Sequence, residues 1–265
     1  MNTTIQRLAL GLLMLTSYPG RALARPSADE IMRNNFLTSK VADSTANVTF
    51  RLRTPSGQER IRLTSGPSKL IPGTTDNRRL ITFDAPADIQ GTKTLLIEHS
   101  NADDDMWIYL PAMKKVRRLV ASNKRDSFVG TDFSYGDVIG HKVTDWVHQL
   151  VKEDRVEGKE CYVIESVPKN HEVQDISGYS KRISWIDQKS WVAVRTDIYD
   201  TNGELLKTIT CEDIREVDPA NHKWQPMKQT AANVQTGHST ILEFKNFRAN
   251  VGVNDNVFTT RSLEN

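Results

Sequence analysis

The sequence predicts a mainly β protein with some α, built on one large, curved antiparallel sheet. Two observations carry this. Segments whose apolar residues alternate in period two recur from residue 46 almost to the end. The stretches between them are short and turn-forming, the connections of antiparallel strands and not of parallel crossovers. A sheet that size must cover its concave apolar face or close on itself.

Pro26, Ser27, Asp29 and Glu30 begin one short helix, because proline suits a first turn, serine caps it and acids complement its positive end. ANVTFRLRT (46–54) and ERIRLTSG (59–66) form a hairpin around SGQ. RRLITFDAP, KTLLIEHS (93–100) and MWIYLP (106–111) follow, separated by the turn-rich IPGTTDN, ADIQG and NADDD. The period is lost in KVRRLVASNKRDSFVGTDFSYGDVIG, so an irregular or helical insertion is expected around 120–144. Strands resume at 145–153, 159–169, 179–188, 190–200 and 204–217, the last two joined by TNG, and then at KWQPMKQTAANV and 239–251. These later strands read as a meander. Residues 25–265 are expected to form a single domain.

Residues 1–24 have the layout of a secretory signal peptide: one basic residue in MNTTIQR, the apolar run LALGLLML and the small-residue pattern Ala22-Leu23-Ala24. The expectation is cleavage after Ala24 and a soluble periplasmic chain. Arg7 and Arg21 leave with that segment, so 33 basic residues face 33 acidic ones. A neutral exported chain is a poor nucleic-acid binder, because such binding needs many phosphates neutralised. The two cysteines, Cys161 and Cys211, lie in separate strands, where the compartment permits either a disulfide or two buried thiols.

Motifs for chemistry are sparse. The six histidines show no HExxH spacing, and CxxC and GxSxG are absent, so no metal, cofactor or catalytic residue is expected. An envelope hydrolase remains the minor alternative. Asp103, Asp104 and Asp105 lack the staggered spacing of a calcium loop and read as a solvated turn. Lys114, Lys115, Arg117 and Arg118 read either as a solvated hairpin edge or as a docking surface for an anionic membrane or acidic partner. In MWIYLP, Met106, Ile108 and Leu110 share one face and Trp107 and Tyr109 the other, so both faces need a cover.

WIYLPAMKKVRRL and SFVGTDFSYGDV (127–138) resemble the exported outer-membrane lipoprotein-sorting proteins, the LolA-like family. FDAPADIQGTKTLLIE (83–98), YSKRISWIDQKSWVAVRTDIYDTNGELLKTI and the closing TGHSTILEFKNFRANVGVNDNVFTTRSLE fit the same pattern in order. The resemblance implies an unclosed half β-barrel with helices covering its concave face. It implies a periplasmic carrier or chaperone that takes the acyl chains of a lipid or lipoprotein and helps sort it toward the outer membrane. Its near variants look like accessory or adaptor proteins of inner-membrane RND-type exporters, with transient membrane contact. A purely apolar half-pipe with a movable lid would suffice, since each buried methylene contributes ~0.8 kcal/mol. Candidate lining residues from the alternation are Phe83, Leu95, Ile97, Met106, Ile108, Leu110, Trp185, Val192 and Val194, although each taken singly reads first as ordinary core. Phe128, Phe133 and Tyr135 are candidate lid residues.

Overall fold

The computed structural model describes residues 25–264. The proposed signal peptide, residues 1–24, lies outside the described residues. Helix α1 (Ala28–Thr38) starts as its sequence dictates: the Ser27 hydroxyl accepts from the Glu30 amide, and Glu30 bonds back to the Ser27 amide. Six strands follow: β1 (Asp43–Arg53), β2 (Glu59–Leu70), β3 (Asn77–Ala85), β4 (Lys93–Ile97), β5 (Asp105–Leu110) and β6 (Lys115–Leu119). Residues 120–145 then carry short 3-10 turns and helix α2 (Tyr135–Ile139).

The second run comprises β7 (Trp146–Val156), β8 (Lys159–Pro168), helix α3 (His171–Ser177), β9 (Lys181–Asp187), β10 (Ala193–Tyr199), β11 (Leu205–Asp218), β12 (Lys223–Asn233) and β13 (Ser239–Ala249). A short helix, α4 (Arg261–Glu264), ends the described chain. The pattern-poor stretch after Pro111 hid one strand, β6, whose charges fall on both of its faces and mask the period.

The thirteen strands of the described residues form one antiparallel sheet in the order β6-β5-β4-β3-β2-β1-β13-β12-β11-β10-β9-β8-β7. Two meanders are zipped together by β1 against β13, with Phe50 opposite Leu242. The free edges are β6 and β7, which are neighbours in sequence. Residues 120–145 therefore run from one edge of the open barrel to the other, and this topology turns an irregular insertion into a bridge across the mouth. The sheet is large and unclosed, with α1 and the bridge on one face.

That face holds the main core, in which Phe50, Phe83, Leu96, Met106, Phe128, Phe133 and Tyr135 are buried together. Small residues let the sheet curl: a side chain at Gly66 in β2 would run into the Leu80 carbonyl of β3. The outer face of β4 and β5 is covered by the C-terminal tail, with Leu95 against Phe258 and Leu263 and with Trp107 and Tyr109 alongside. The two-sided apolar character of MWIYLP is thereby explained.

Cys161 and Cys211 are both free. They stand on β8 and β11, with β9 and β10 between them. Strands lie about 4.8 Å apart, so the two residues are separated by far more than the ~7 Å a disulfide spans. The disulfide alternative is corrected to two thiols, and burial raises them to about 11 for Cys161 and about 12 for Cys211.

Candidate functional site

Between α1, the bridge and the inner face of the sheet lies a cavity of about 440 Å³. Met32 and Phe36 come from α1, Phe133 and Ile139 from the bridge, and Val48, Phe50, Ile209 and Leu242 from the sheet. The wall is not purely apolar, contrary to the half-pipe expected from the resemblance. Lys40, Arg79, Glu98, Asp137, His141, His148 and Arg182 also line it.

Few of the sequence-derived lining candidates reach this cavity. Val192 and the lid candidate Phe133 line it. Phe83 and Met106 are completely buried in the adjoining solid core with Phe128 and Tyr135, where Phe128 packs edge-on to Tyr135 at 5.2 Å between ring centres. Val194 is buried beside a register irregularity in β10, and Ile108 and Leu110 are half-buried; none of these three is in the wall. Leu95 and Ile97 are corrected: Leu96, not Leu95, pairs with Met106, so both point to the outer face. Trp185 is corrected too. Ile186 packs beneath α1, so its neighbour Trp185 points outward, where its indole donates to Asp154 at 3.2 Å and Arg195 lies over the ring.

The bridge is held by polar tethers that the sequence did not announce. Ser134 and Asp137 cap α2 reciprocally. The buried Asp137 carboxylate accepts from Lys207 Nζ of β11 at 2.6 Å and from the Tyr179 hydroxyl at 3.0 Å. Burial pushes this carboxyl up, but Lys207 and His141 more than offset it and hold Asp137 well below the usual range. Lys207 also donates to the Asp132 carbonyl at 2.8 Å. The Asp132 carboxylate accepts from Thr240 of β13 at 2.6 Å. Lys124 pairs with Asp104 at 2.5 Å, so the middle acid of the DDD run is buried and engages the bridge instead of forming a solvated turn.

After α2, Gly140 at φ +107° turns the chain where only glycine is comfortable. His141 follows, packed edge-on to Trp146 and Tyr179. Burial and the nearby Arg182 push its imidazole down to about 4. At the other end of the cavity Lys40 pairs with Glu98, which also accepts from the Asn77 amide, while Arg79 donates to the Val138 carbonyl. Sequence reading missed these groups because isolated charges in strands look like solvent-facing residues. The only hint was that Asp137 and Tyr179 fall within motifs that carry the family resemblance.

On the exposed side, Lys114, Lys115, Arg117 and Arg118 form the β6 edge, with Arg118 paired to Asp105 at 2.7 Å. Among the described residues, no group of three or more His, Cys, Asp or Glu side chains is placed to hold a metal ion. No helix among them is long and apolar enough to cross a membrane.

Known structures share this architecture. A domain from Vibrio parahaemolyticus described as an outer-membrane lipoprotein-sorting protein matches 90% of this chain and 98% of its own, at 28% identity and a TM-score of 0.82. A DUF1329 family protein from Desulfovibrio piger matches 89% and 97%, also at 28% identity and 0.82. A LolA superfamily protein from Nitrosomonas europaea, at 18% identity and 0.69, covers 90% of the chain and all of its own length, and shows the common fold. All three share the large unclosed antiparallel sheet with helices on one face. No curated protein matches the sequence. A family model described as an uncharacterized protein matches residues 75–265, and the chain belongs to that family.

Proposed function

We propose that the chain is a periplasmic carrier or chaperone whose cavity takes acyl chains of a lipid or lipoprotein and helps sort it toward the outer membrane. The observation that carries this reading is the cavity of about 440 Å³ between the sheet and the bridge, walled on one side by Phe50, Phe133, Leu242 and Phe244. Such a wall binds by excluding water from methylenes and requires no nucleophile. The description of the Vibrio parahaemolyticus relative as a lipoprotein-sorting domain points the same way. In this reading residues 1–24 direct export and residues 25–265 act as one unit. Phe133 and Val192 touch the acyl chain, and Phe128 and Tyr135 anchor the bridge, whose far end shifts for loading. Native mass spectrometry of gently purified protein is expected to show bound acyl species. Protein that carries none, and takes none from lipid vesicles, overturns the reading.

A second reading is an adaptor for an inner-membrane RND-type exporter, favoured by the exposed Lys114, Lys115 and Arg117 on the sheet's free edge. Charge reversal at these residues and Arg118 is then expected to abolish capture of the exporter while leaving acyl uptake intact. Unchanged capture counts against it.

A further inference from the structure

The buried cations around the cavity are not equally served. Lys207 has Asp137, Lys40 has Glu98 and Lys124 has Asp104, each as an ion pair. Arg79 has the Val138 carbonyl. Arg182 has none of these. It sits on β9 in register with Ser166 of β8 and Ile198 of β10, and its guanidinium lies 4.0 Å over the Trp146 ring. Among the described residues it makes no hydrogen bond or ion pair, and its Nε is buried without an acceptor.

Neighbouring groups do not pair with it, although the charge of Asp137 acts on it from beyond hydrogen-bond reach. Asp137 is already taken by Lys207, Tyr179 and the Ser134 amide. His148 is occupied: its Nε2 donates to the Val143 carbonyl at 3.1 Å, burial pushes its imidazole down and so favours the neutral form, and in that form Nδ1 accepts from Ser166 at 2.7 Å. His141 Nε2 stands 3.6 Å from Asp137, beyond hydrogen-bond reach, and is also buried without a partner. A guanidinium held away from water without a counter-charge is costly, and its planar fork matches a carboxylate or phosphate. Trp146 fixes that fork in place from one side. Across the same cavity the wall turns apolar at Phe50, Ile209, Leu242 and Phe244.

We infer that the cavity is a site for a single-chain amphiphile whose anionic head, a carboxylate or phosphate, is held by Arg182 while its tail lies along the apolar wall. This rests on the carrier reading and narrows it. The cavity of about 440 Å³ falls within the ~300–1,000 Å³ range of small-ligand sites.

The test compares three probes by displacement of a fluorescent acyl ligand from the full mature chain: a fatty acid, its methyl ester and an alkyl phosphate of matched length. One or both anionic probes are expected to bind at least tenfold more tightly than the ester, and the stronger of the two identifies the head. Arg182→Gln is expected to erase that preference while ester binding persists, and Arg182→Lys to retain part of it. Equal binding of acid, phosphate and ester overturns the anionic site but leaves the carrier reading standing. Binding of none overturns both. Should Arg182→Gln fail to fold, the wild-type ratio and Arg182→Lys decide; a preference untouched in a folded Arg182→Gln overturns the role of Arg182.

Discussion

The two ends of the bridge are built on opposite principles. Phe128 is wholly buried and touches three aromatic rings, those of Phe50, Phe83 and Tyr135. From Asp137 to His141 the bridge lines the cavity, and beside the packed Ile139 this end is tied by charged groups: Asp137 pairs with Lys207, and Arg79 donates to the Val138 carbonyl. Dry packing is nondirectional and resists opening in proportion to the area it hides, whereas an ion pair can be broken by a competing charge. On the proposed carrier reading, the aromatic end would be the fixed hinge side of the bridge and the charged end the side where a ligand competes.

Three substitutions sharpen or break this contrast. The largest effect is expected for Phe128→Ala, at about 3–5 kcal/mol lost in denaturant unfolding, because the cavity it leaves is ringed by aromatics that cannot collapse into it. A loss no greater than that of a surface substitution would remove the hinge assignment.

Next is Lys207→Met. It strands a buried carboxylate, which costs roughly 3 kcal/mol, toward the low end for a broken buried pair because Tyr179 and Ser134 still donate to Asp137. Hydrogen exchange is expected to rise over residues 132–143 and to stay unchanged around Phe128. Uniform loosening of both ends would contradict the division.

The smallest effect is a pH slope. His141, near Asp137, Arg182 and Lys124, titrates at about 4 in the folded chain against an ordinary 6.5. The unfolded chain takes up the proton first, so stability is full above pH 6.5 and falls as pH drops toward 4, by at most about 3 kcal/mol. Asp137, also depressed, prolongs the loss at still lower pH, below the ordinary carboxyl value of 3.8. His141→Gln is expected to flatten the upper part of this slope in thermal melts across that range; an unchanged slope would assign it to other groups.

Much of the fold was legible because it is local. The Ser27–Glu30 cap, the hairpins and the two meanders follow from spacing over a few residues, and β-alternation survives wherever one face is wet. The strand β6 was obscured because Lys115, Arg117 and Arg118 fall on both of its faces. Which way Leu95 and Ile97 face is not legible in the sequence because KTLLI is apolar on both faces, and only the pairing of Leu96 with Met106 selects which face is inner.

The site was less legible for a related reason. Phe133 and Val192 could be named as candidates from apolar character. Nothing in the sequence separates Arg182, in a run with Lys181, from any other strand arginine. Its missing partner is a property of what surrounds it in space.

By itself the sequence determined the strand-rich class, the helix that precedes the strands, the irregular stretch between the two meanders and the likeness to sorting proteins. These are encoded in nearest-neighbour chemistry and in residue order. Only the tertiary structure decided that the irregular stretch spans the two sheet edges, that Asp104 and Asp137 are buried, and that the Arg182 guanidinium faces the cavity with no hydrogen-bond or ion-pair partner among the described residues. Those facts depend on strand register and edge placement, which bring together residues as distant in sequence as Asp137 and Lys207, and no local pattern records such a meeting.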